Sequence, residues 1–108
     1  MSYSVSLTFA AARDLEEIID CIAVHDAPEK AEYALTQIEK AFNRLSESPG
    51  RGTRPRELLT LGIREYRETL FKPYRIIYRI DGEVVTILLI ADGRRDMQTL
   101  LQRRLFEH

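Results

Sequence analysis

The stretch that most constrains the fold of this chain runs from residue 72 to residue 105 and reads KPYRIIYRIDGEVVTILLIADGRRDMQTLLQRRL. Residues 73–80 are apolar and aromatic apart from Arg75 and Arg79, and residues 84–91 are almost entirely aliphatic. Asp81 and Gly82 between them are a strong signal for a two-residue type I′ hairpin turn. The second segment is an almost unbroken aliphatic run, typical of a strand buried on both faces. The stretch therefore predicts two paired antiparallel strands around which the rest of the chain packs.

A short basic segment and a closing helix complete this stretch. Asp96 is a suitable N-cap for a helix over 97–105, because its side chain can accept from a free amide of the first turn. The apolar residues of this helix recur at the spacing of one helical face. They are Met97, Leu100, Leu101 and Leu105.

The first half of the chain predicts a strand followed by two helices. Apolar and polar residues alternate over 3–9, which indicates a half-buried strand, and Thr8 can cap the next helix. That helix has an apolar face of Leu15, Ile18, Ile19 and Ile22, and a solvated face that holds Asp14, Glu17 and Asp20. Asp26 and Glu29 predict a capping box at the second helix, with Pro28 in its first turn.

The second helix buries one face and ends at a turn-rich segment over 48–52. Its buried positions are Ala31, Ala34, Leu35, Ile38, Phe42 and Leu45. A loop follows over 53–62. The arginines at 51, 54 and 56 could contact phosphate, but side chains in such a loop are more often solvated. A strand over 63–71 carries enough charge to suggest an edge or an open face.

These elements predict an α+β fold with the order β-α-α-β-β-β-α. The helical hairpin packs on one face of a twisted antiparallel sheet, and the first strand joins that sheet at an edge. A length of 108 residues favours a single domain over 1–108.

Composition points to a cytoplasmic protein that does not enter a membrane. No apolar run reaches the roughly 18 residues of a membrane span, and the N-terminus lacks the features of a signal peptide. A single cysteine, Cys21, allows no internal disulfide. The net charge of −1 conceals an excess of acids over 13–47 and an excess of arginine over 51–108. Arginine suits bidentate recognition of carboxylate or phosphate, although a surface of mixed charge also keeps a protein soluble.

The sequence contains no motif for catalysis, a metal or a cofactor. It has no glycine-rich phosphate loop, no HExxH and no cysteine–histidine cluster. His25 falls in the break between the helices, and His108 is the last residue. We therefore expect no catalytic residue, no metal site and no cofactor.

The candidate binding residues are arginines on neighbouring strands or at their ends: Arg67, Arg75, Arg79, Arg94 and Arg95. Arg75, Ile77 and Arg79 share the face of the strand opposite to its tyrosines. If the hairpin covers the tyrosine face, these arginines line an open basic groove for an anionic partner, either a nucleic-acid backbone or an acidic protein segment. The alternative is ion pairing with neighbouring acids, namely Glu65, Glu68, Glu83 or Asp96.

The segments SLTFAAARDLEEIIDCIA, ESPGRGTRPRELLTLGIREYR, KPYRIIYRI and LLIADGRRDMQTLLQRRL resemble the RelE/ParE superfamily of type II toxins. The resemblance covers nearly the whole chain. It implies a toxin with the fold described above, held inert by the C-terminal segment of an antitoxin. It also allows a toxin dimer within a hetero-oligomer.

The superfamily contains two activities, and the resemblance favours one of them. RelE-like toxins cleave messenger RNA on the ribosome, but Thr69 stands where their second lysine falls and Leu101 where their tyrosine falls. ParE-like toxins inhibit DNA gyrase by binding and need no catalytic residue. The resemblance therefore implies a gyrase-directed toxin with a ParD-like antitoxin. The alternatives are a ribosome-dependent endoribonuclease and an inactive antitoxin-binding module.

Overall fold

The computed structural model describes residues 2–106, so His108 lies outside the described residues. Its strands are β1 (Ser4–Leu7), β2 (Tyr66–Phe71), β3 (Tyr74–Asp81) and β4 (Val84–Asp92). Its helices are α1 (Phe9–His25), α2 (Pro28–Glu47), α3 (Arg56–Leu59) and α4 (Met97–Phe106). The predicted fold class and element order are confirmed, and the segment predicted as a loop over 53–62 contains the short helix α3.

The sheet has the strand order β1-β4-β3-β2. Strands β2, β3 and β4 form the predicted antiparallel meander, and β1 joins at an edge, as expected. However, β1 runs parallel to β4, with Ser4 opposite Val84, so the sheet is mixed rather than wholly antiparallel. Short turns force neighbouring strands to be antiparallel, whereas the long connection through α1 and α2 permits either direction.

The turn between β3 and β4 differs by one residue from the predicted type I′ turn. Asp81 pairs with Val84, so the two loop residues are Gly82 and Glu83. Gly82 has a φ of 60°, and no non-glycine residue between 2 and 106 has a positive φ. A positive φ at only the first loop residue belongs to a type II′ turn, where glycine avoids the steric cost of that conformation.

The helical hairpin covers the tyrosine–isoleucine face of β3. Ile76 and Tyr78 are fully buried there against Ala11 of α1 and Ala41 and Leu45 of α2. This packing forms the first of two hydrophobic cores, and burying such side chains contributes roughly 1.5–3 kcal/mol each.

The buried hydroxyl of Tyr78 donates a hydrogen bond to the Pro49 carbonyl at 2.5 Å. Gly52 lies against the same ring, because a Cβ atom added there would lie 2.1 Å from the hydroxyl oxygen. The turn after α2 therefore approaches β3 closely only with glycine at this position.

A second core lies on the opposite face of the sheet, where an open face was expected. Ile77 is fully buried there, with Leu58 of α3 and Met97 and Leu101 of α4 in the same cluster. The expectation of an open face is wrong because α3 and α4 both pack onto it. A register shift in β4 between the partners of Ile77 and Tyr78 interrupts the alternation of that strand.

Two local predictions near the N-terminus are also wrong. Phe9 was expected on the buried side of a strand, but it begins α1 and is 81% exposed. The capping box at α2 does not form. Ala27 is the N-cap residue without a side-chain bond, and the Asp26 carboxylate accepts from Lys30 Nζ at 3.0 Å.

None of the helices within residues 2–106 is both long enough and apolar enough to span a membrane.

Candidate functional site

The five arginines predicted to bind a partner lie in three separate places. Cross-strand pairing sets Arg67 opposite Tyr78, on the face that the helical hairpin covers, and its Nη1 donates to the Gly52 carbonyl at 2.9 Å. Arg75 and Arg79 lie on the other face of the sheet, since side chains alternate along a strand. Arg94 and Arg95 follow β4 in the turn before α4. The structure therefore does not gather them into a single groove.

Arg75 is engaged by two carboxylates of the protein itself. Its Nη1 and Nη2 donate to the two oxygens of Glu57 at 2.8 Å each, and its Nε donates to Glu68 Oε1 at 2.7 Å. The three side chains are only 16%, 23% and 12% exposed. The Glu57 hydrogen bond is the main cause that raises the pKa of Arg75, and the same contact lowers the pKa of Glu57.

Pairing with Glu68 was the predicted alternative to a binding role for Arg75, and the structure contains this pair. Pairing with Glu57 was not predicted, because that residue lies in the segment expected to be a loop. A charge-assisted, bidentate contact of this kind ties α3 to the sheet.

Glu57 makes the stability of the protein sensitive to acid. Its pKa is lower in the folded chain than the value of about 4.3 expected in the unfolded chain. The stabilisation is therefore complete above about pH 4.3 and is lost as the pH falls through the lowered pKa of the folded state. We expect the melting temperature to fall less steeply below about pH 4.3 in Glu57→Gln than in the parent protein, as measured by circular dichroism. Superimposable pH profiles would contradict this role.

Arg79 is paired near the hairpin turn. Its Nε donates to Asp81 Oδ2 at 2.6 Å, and the Tyr66 hydroxyl accepts from its Nη1 at 3.4 Å. The bond to Asp81 is the main cause that raises the pKa of Arg79. Because the Arg79 side chain is 40% exposed, this pair contributes little to stability.

Arg94 and Arg95 are the most accessible of the predicted arginines. Arg94 forms hydrogen bonds to both oxygens of Asp92, which lower the pKa of Asp92 to about 2, yet its side chain is 81% exposed. Arg95 is also exposed, and it forms no ion pair with any carboxylate in the described part of the chain. The turn between β4 and α4 therefore exposes two guanidinium groups to solvent.

An ion pair that the sequence did not predict joins α1, β4 and α4. The two oxygens of Asp14 accept from Arg104 Nη1 and Nη2 at 2.9 and 3.0 Å. Asp14 also accepts from the Ile90 amide, and Arg104 donates to the Leu88 carbonyl. The expectation that Asp14 lies on a solvated face is therefore wrong. Strand β1 pairs with β4 only as far as Ile87, so the backbone groups of β4 beyond that point form hydrogen bonds with these two side chains instead.

Leu101 and Thr69, which stand where RelE-like nucleases carry a tyrosine and a lysine, have different surroundings. Leu101 is fully buried in the second core. Thr69 lies opposite Ile76 and lines a cleft of about 460 Å³ with Arg44 and Arg51. Within residues 2–106, no group of histidine, cysteine or acidic residues has an arrangement that could hold a metal ion.

Comparison with known proteins identifies the family. Residues 5–97 match the model of a family described as the ParE toxin of the type II toxin–antitoxin system parDE. This chain belongs to the ParE toxin family. It is 34% identical over 91 residues to Toxin ParE3 from Caulobacter vibrioides, which covers 84% of this chain and 87% of that protein.

Solved structures agree with membership of the ParE family. A chain of the chromosomal ParDE toxin–antitoxin system from P. aeruginosa has a TM-score of 0.69 and 29% identity, covering 84% of this chain and 96% of that one. A chain of the toxin–antitoxin complex RelBE2 from Mycobacterium tuberculosis has a TM-score of 0.58 and 30% identity, covering 85% and 99%. The resemblance to the RelE/ParE superfamily, and to its ParE branch, is thus confirmed.

Proposed function

We propose that this ParE-family toxin inhibits DNA gyrase by binding to it, without catalysing a reaction, and that a ParD-like antitoxin holds it inactive. Membership of the ParE family supports this proposal. The observation that carries it is the burial of Leu101 in the second core. A RelE-like nuclease is expected to place a tyrosine at this position, and a buried leucine can neither donate nor accept a proton at an RNA backbone.

The surface proposed to contact the target is the turn that carries Arg94 and Arg95. Both side chains are exposed, whereas the guanidinium of Arg75 is held by Glu57 and Glu68. Arg67 and Arg79 also have partners within the protein. Arginine is frequent among the residues that dominate the binding energy of protein interfaces. This favours Arg95, which has no ion-pair partner within residues 2–106, as the main contact.

The proposed partners follow from the relatives. The two solved neighbours belong to toxin–antitoxin systems. We therefore propose an antitoxin partner for this chain. The resulting hetero-oligomer can contain a toxin dimer. Action on gyrase would place the protein in the bacterial cytoplasm.

A gyrase assay tests the proposal. Purified protein is mixed with gyrase, ATP and relaxed plasmid, and the supercoiled product is measured on agarose gels. We expect inhibition by the parent protein and a half-inhibitory concentration about tenfold higher for Arg95→Ala, the effect of losing one arginine contact of moderate strength. Arg13→Ala is the matched control because Arg13 is an exposed arginine on α1, and it should inhibit like the parent. Normal supercoiling at a large excess of parent protein would refute gyrase as the target.

The second candidate function is a ribosome-dependent ribonuclease, which the structural similarity to RelBE2 favours. A ribosome programmed with a defined message distinguishes the two candidates. We expect the message to remain intact, since Leu101 supplies no group for proton transfer. Cleavage in the A site would overturn the binding mechanism. Harmless expression of the protein alone in a susceptible cell would instead favour an inactive antitoxin-binding module.

A further inference from the structure

A second basic site lies between β2, α3 and the segment before α3. It is a cleft of about 480 Å³. Its lining includes three arginines and two glutamates, which are Arg54, Arg56, Arg75, Glu57 and Glu68. Both glutamates form their ion pairs with Arg75. The charged side chains in the lining therefore leave one positive charge in excess.

The excess charge belongs to Arg54 and Arg56. Neither forms an ion pair with an acidic side chain between residues 2 and 106. The Nε atom of Arg54 is shielded from solvent and has no hydrogen-bond partner in this range. Native proteins pair nearly all such donors, because an unpaired buried donor costs more than a typical hydrogen bond contributes. A partly desolvated cation with an unused hydrogen-bond donor attracts an anion more strongly than a fully hydrated one.

The cleft borders a free backbone edge of the sheet. Strand β2 is the last strand in the order β1-β4-β3-β2. The Glu68 amide faces outward, where it donates to the Thr53 carbonyl at 2.7 Å. Alternate residues of a strand direct their backbone groups to the same side, so the amide and carbonyl of Leu70 also face outward. No bridge pairs Leu70 with a segment beyond β2 in the described chain, and its side chain is half exposed.

We propose that the cleft and this edge together bind an extended acidic peptide segment of a partner protein. Its backbone pairs with Leu70, and one of its carboxylates binds Arg54 and Arg56. A peptide segment fits both the edge and the cleft, because its backbone amide and carbonyl groups can pair with a free strand edge while a side-chain carboxylate binds the arginines. A single carboxylate balances the single excess charge. The successive phosphates of a nucleic acid carry more negative charge than this lining can balance.

This inference goes beyond the proposed inhibition of gyrase and uses different residues. A protein that does not affect gyrase can still bind an acidic peptide here, and the reverse also holds. The two proposals therefore fail separately.

Nuclear magnetic resonance with the full-length ¹⁵N-labelled protein tests the inference. The probe is a capped seven-residue peptide in which valine and threonine alternate around one central glutamate, and its partner peptide has glutamine at the centre. We expect the Leu70 amide and the Arg54 Nε–Hε signals to shift together. The glutamate peptide should bind about tenfold more tightly, because a charge-assisted hydrogen bond is the stronger kind.

Two variants and one control identify the residues responsible. We expect the preference for glutamate over glutamine to fall to about threefold or less in Arg54→Gln and in Arg56→Gln, since each substitution removes part of the positive charge. Arg56 is the more exposed of the two residues. Arg13→Gln should keep the full preference, because Arg13 lies on the exposed surface of α1. Arg56→Gln decides the result if Arg54→Gln fails to fold, as judged by its melting curve.

Three results would overturn the inference. The first is a glutamate peptide that leaves the Leu70 and Arg54 signals unmoved. The second is equal affinity for the glutamate and glutamine peptides in the parent protein. The third is inorganic phosphate that binds at Arg54 more tightly than the glutamate peptide, which would assign the cleft to phosphate rather than to a peptide carboxylate.

Discussion

Replacing Arg75 by alanine is expected to lower the free energy of unfolding by about 3 kcal/mol. The substitution removes the guanidinium that both Glu57 and Glu68 bind, and both carboxylate side chains are less than a quarter exposed. Removing one partner of a buried ion pair is strongly destabilising because the remaining charge keeps its desolvation cost. A loss of this size is a large part of the 5–15 kcal/mol that stabilises a typical domain.

Urea unfolding followed by circular dichroism measures this loss. Arg79→Ala is the matched control, since Arg79 lies on the same strand and face with a more exposed ion pair, and it should change the free energy of unfolding by less than about 1 kcal/mol. Arg75→Lys should recover only part of the loss, because one ammonium group cannot bridge two carboxylates as a planar guanidinium does.

The sequence alone made Arg75 a candidate binding residue. The ion pairs now favour a structural role. An unchanged urea midpoint together with reduced gyrase inhibition would restore the interpretation of Arg75 as a contact residue.

Replacing Leu101 by alanine is expected to lower the free energy of unfolding by about 3 kcal/mol, within the range measured for buried leucines. Leu101 is fully buried in the core that α4 forms with Leu58 and Ile77. The loss combines the transfer energy of the deleted methyl groups with the cost of the cavity that remains. Leu100→Ala is the matched control on α4. Because Leu100 is only partly buried, its loss should be about half as large.

The same position also tests the chemistry. Leu101→Tyr places a larger ring and a hydroxyl group in an apolar core, which should destabilise the protein by overpacking and by burying a polar group. We expect it to acquire no cleavage of messenger RNA on programmed ribosomes. If Leu101→Ala proves as stable as the parent protein, α4 does not pack as described; if Leu101→Tyr gains ribosome-dependent cleavage, the position is accessible to RNA.

Part of the functional assignment was accessible from the sequence. The four segments that resemble the RelE/ParE superfamily led to the family that the comparisons confirm. The sequence did not predict which residues surround the candidate arginines. Glu57 is 18 residues from Arg75, and Asp14 is 90 residues from Arg104, so no short-range pattern relates them. From the sequence, Arg54 was only one of three arginines in or just before a predicted loop, whereas the structure shows that its Nε has no hydrogen-bond partner within residues 2–106.

The sequence by itself determined the elements whose signals are local. The spacing of apolar residues predicted the helical hairpin, the meander and the closing helix, because the periods of 3.6 and 2 residues follow from backbone geometry. Only the tertiary structure decided that β1 runs parallel to β4, that α3 and α4 close the second face, and which carboxylates hold Arg75 and Arg104. These outcomes depend on contacts between residues far apart in the chain, and neither periodicity nor turn signals specify such contacts.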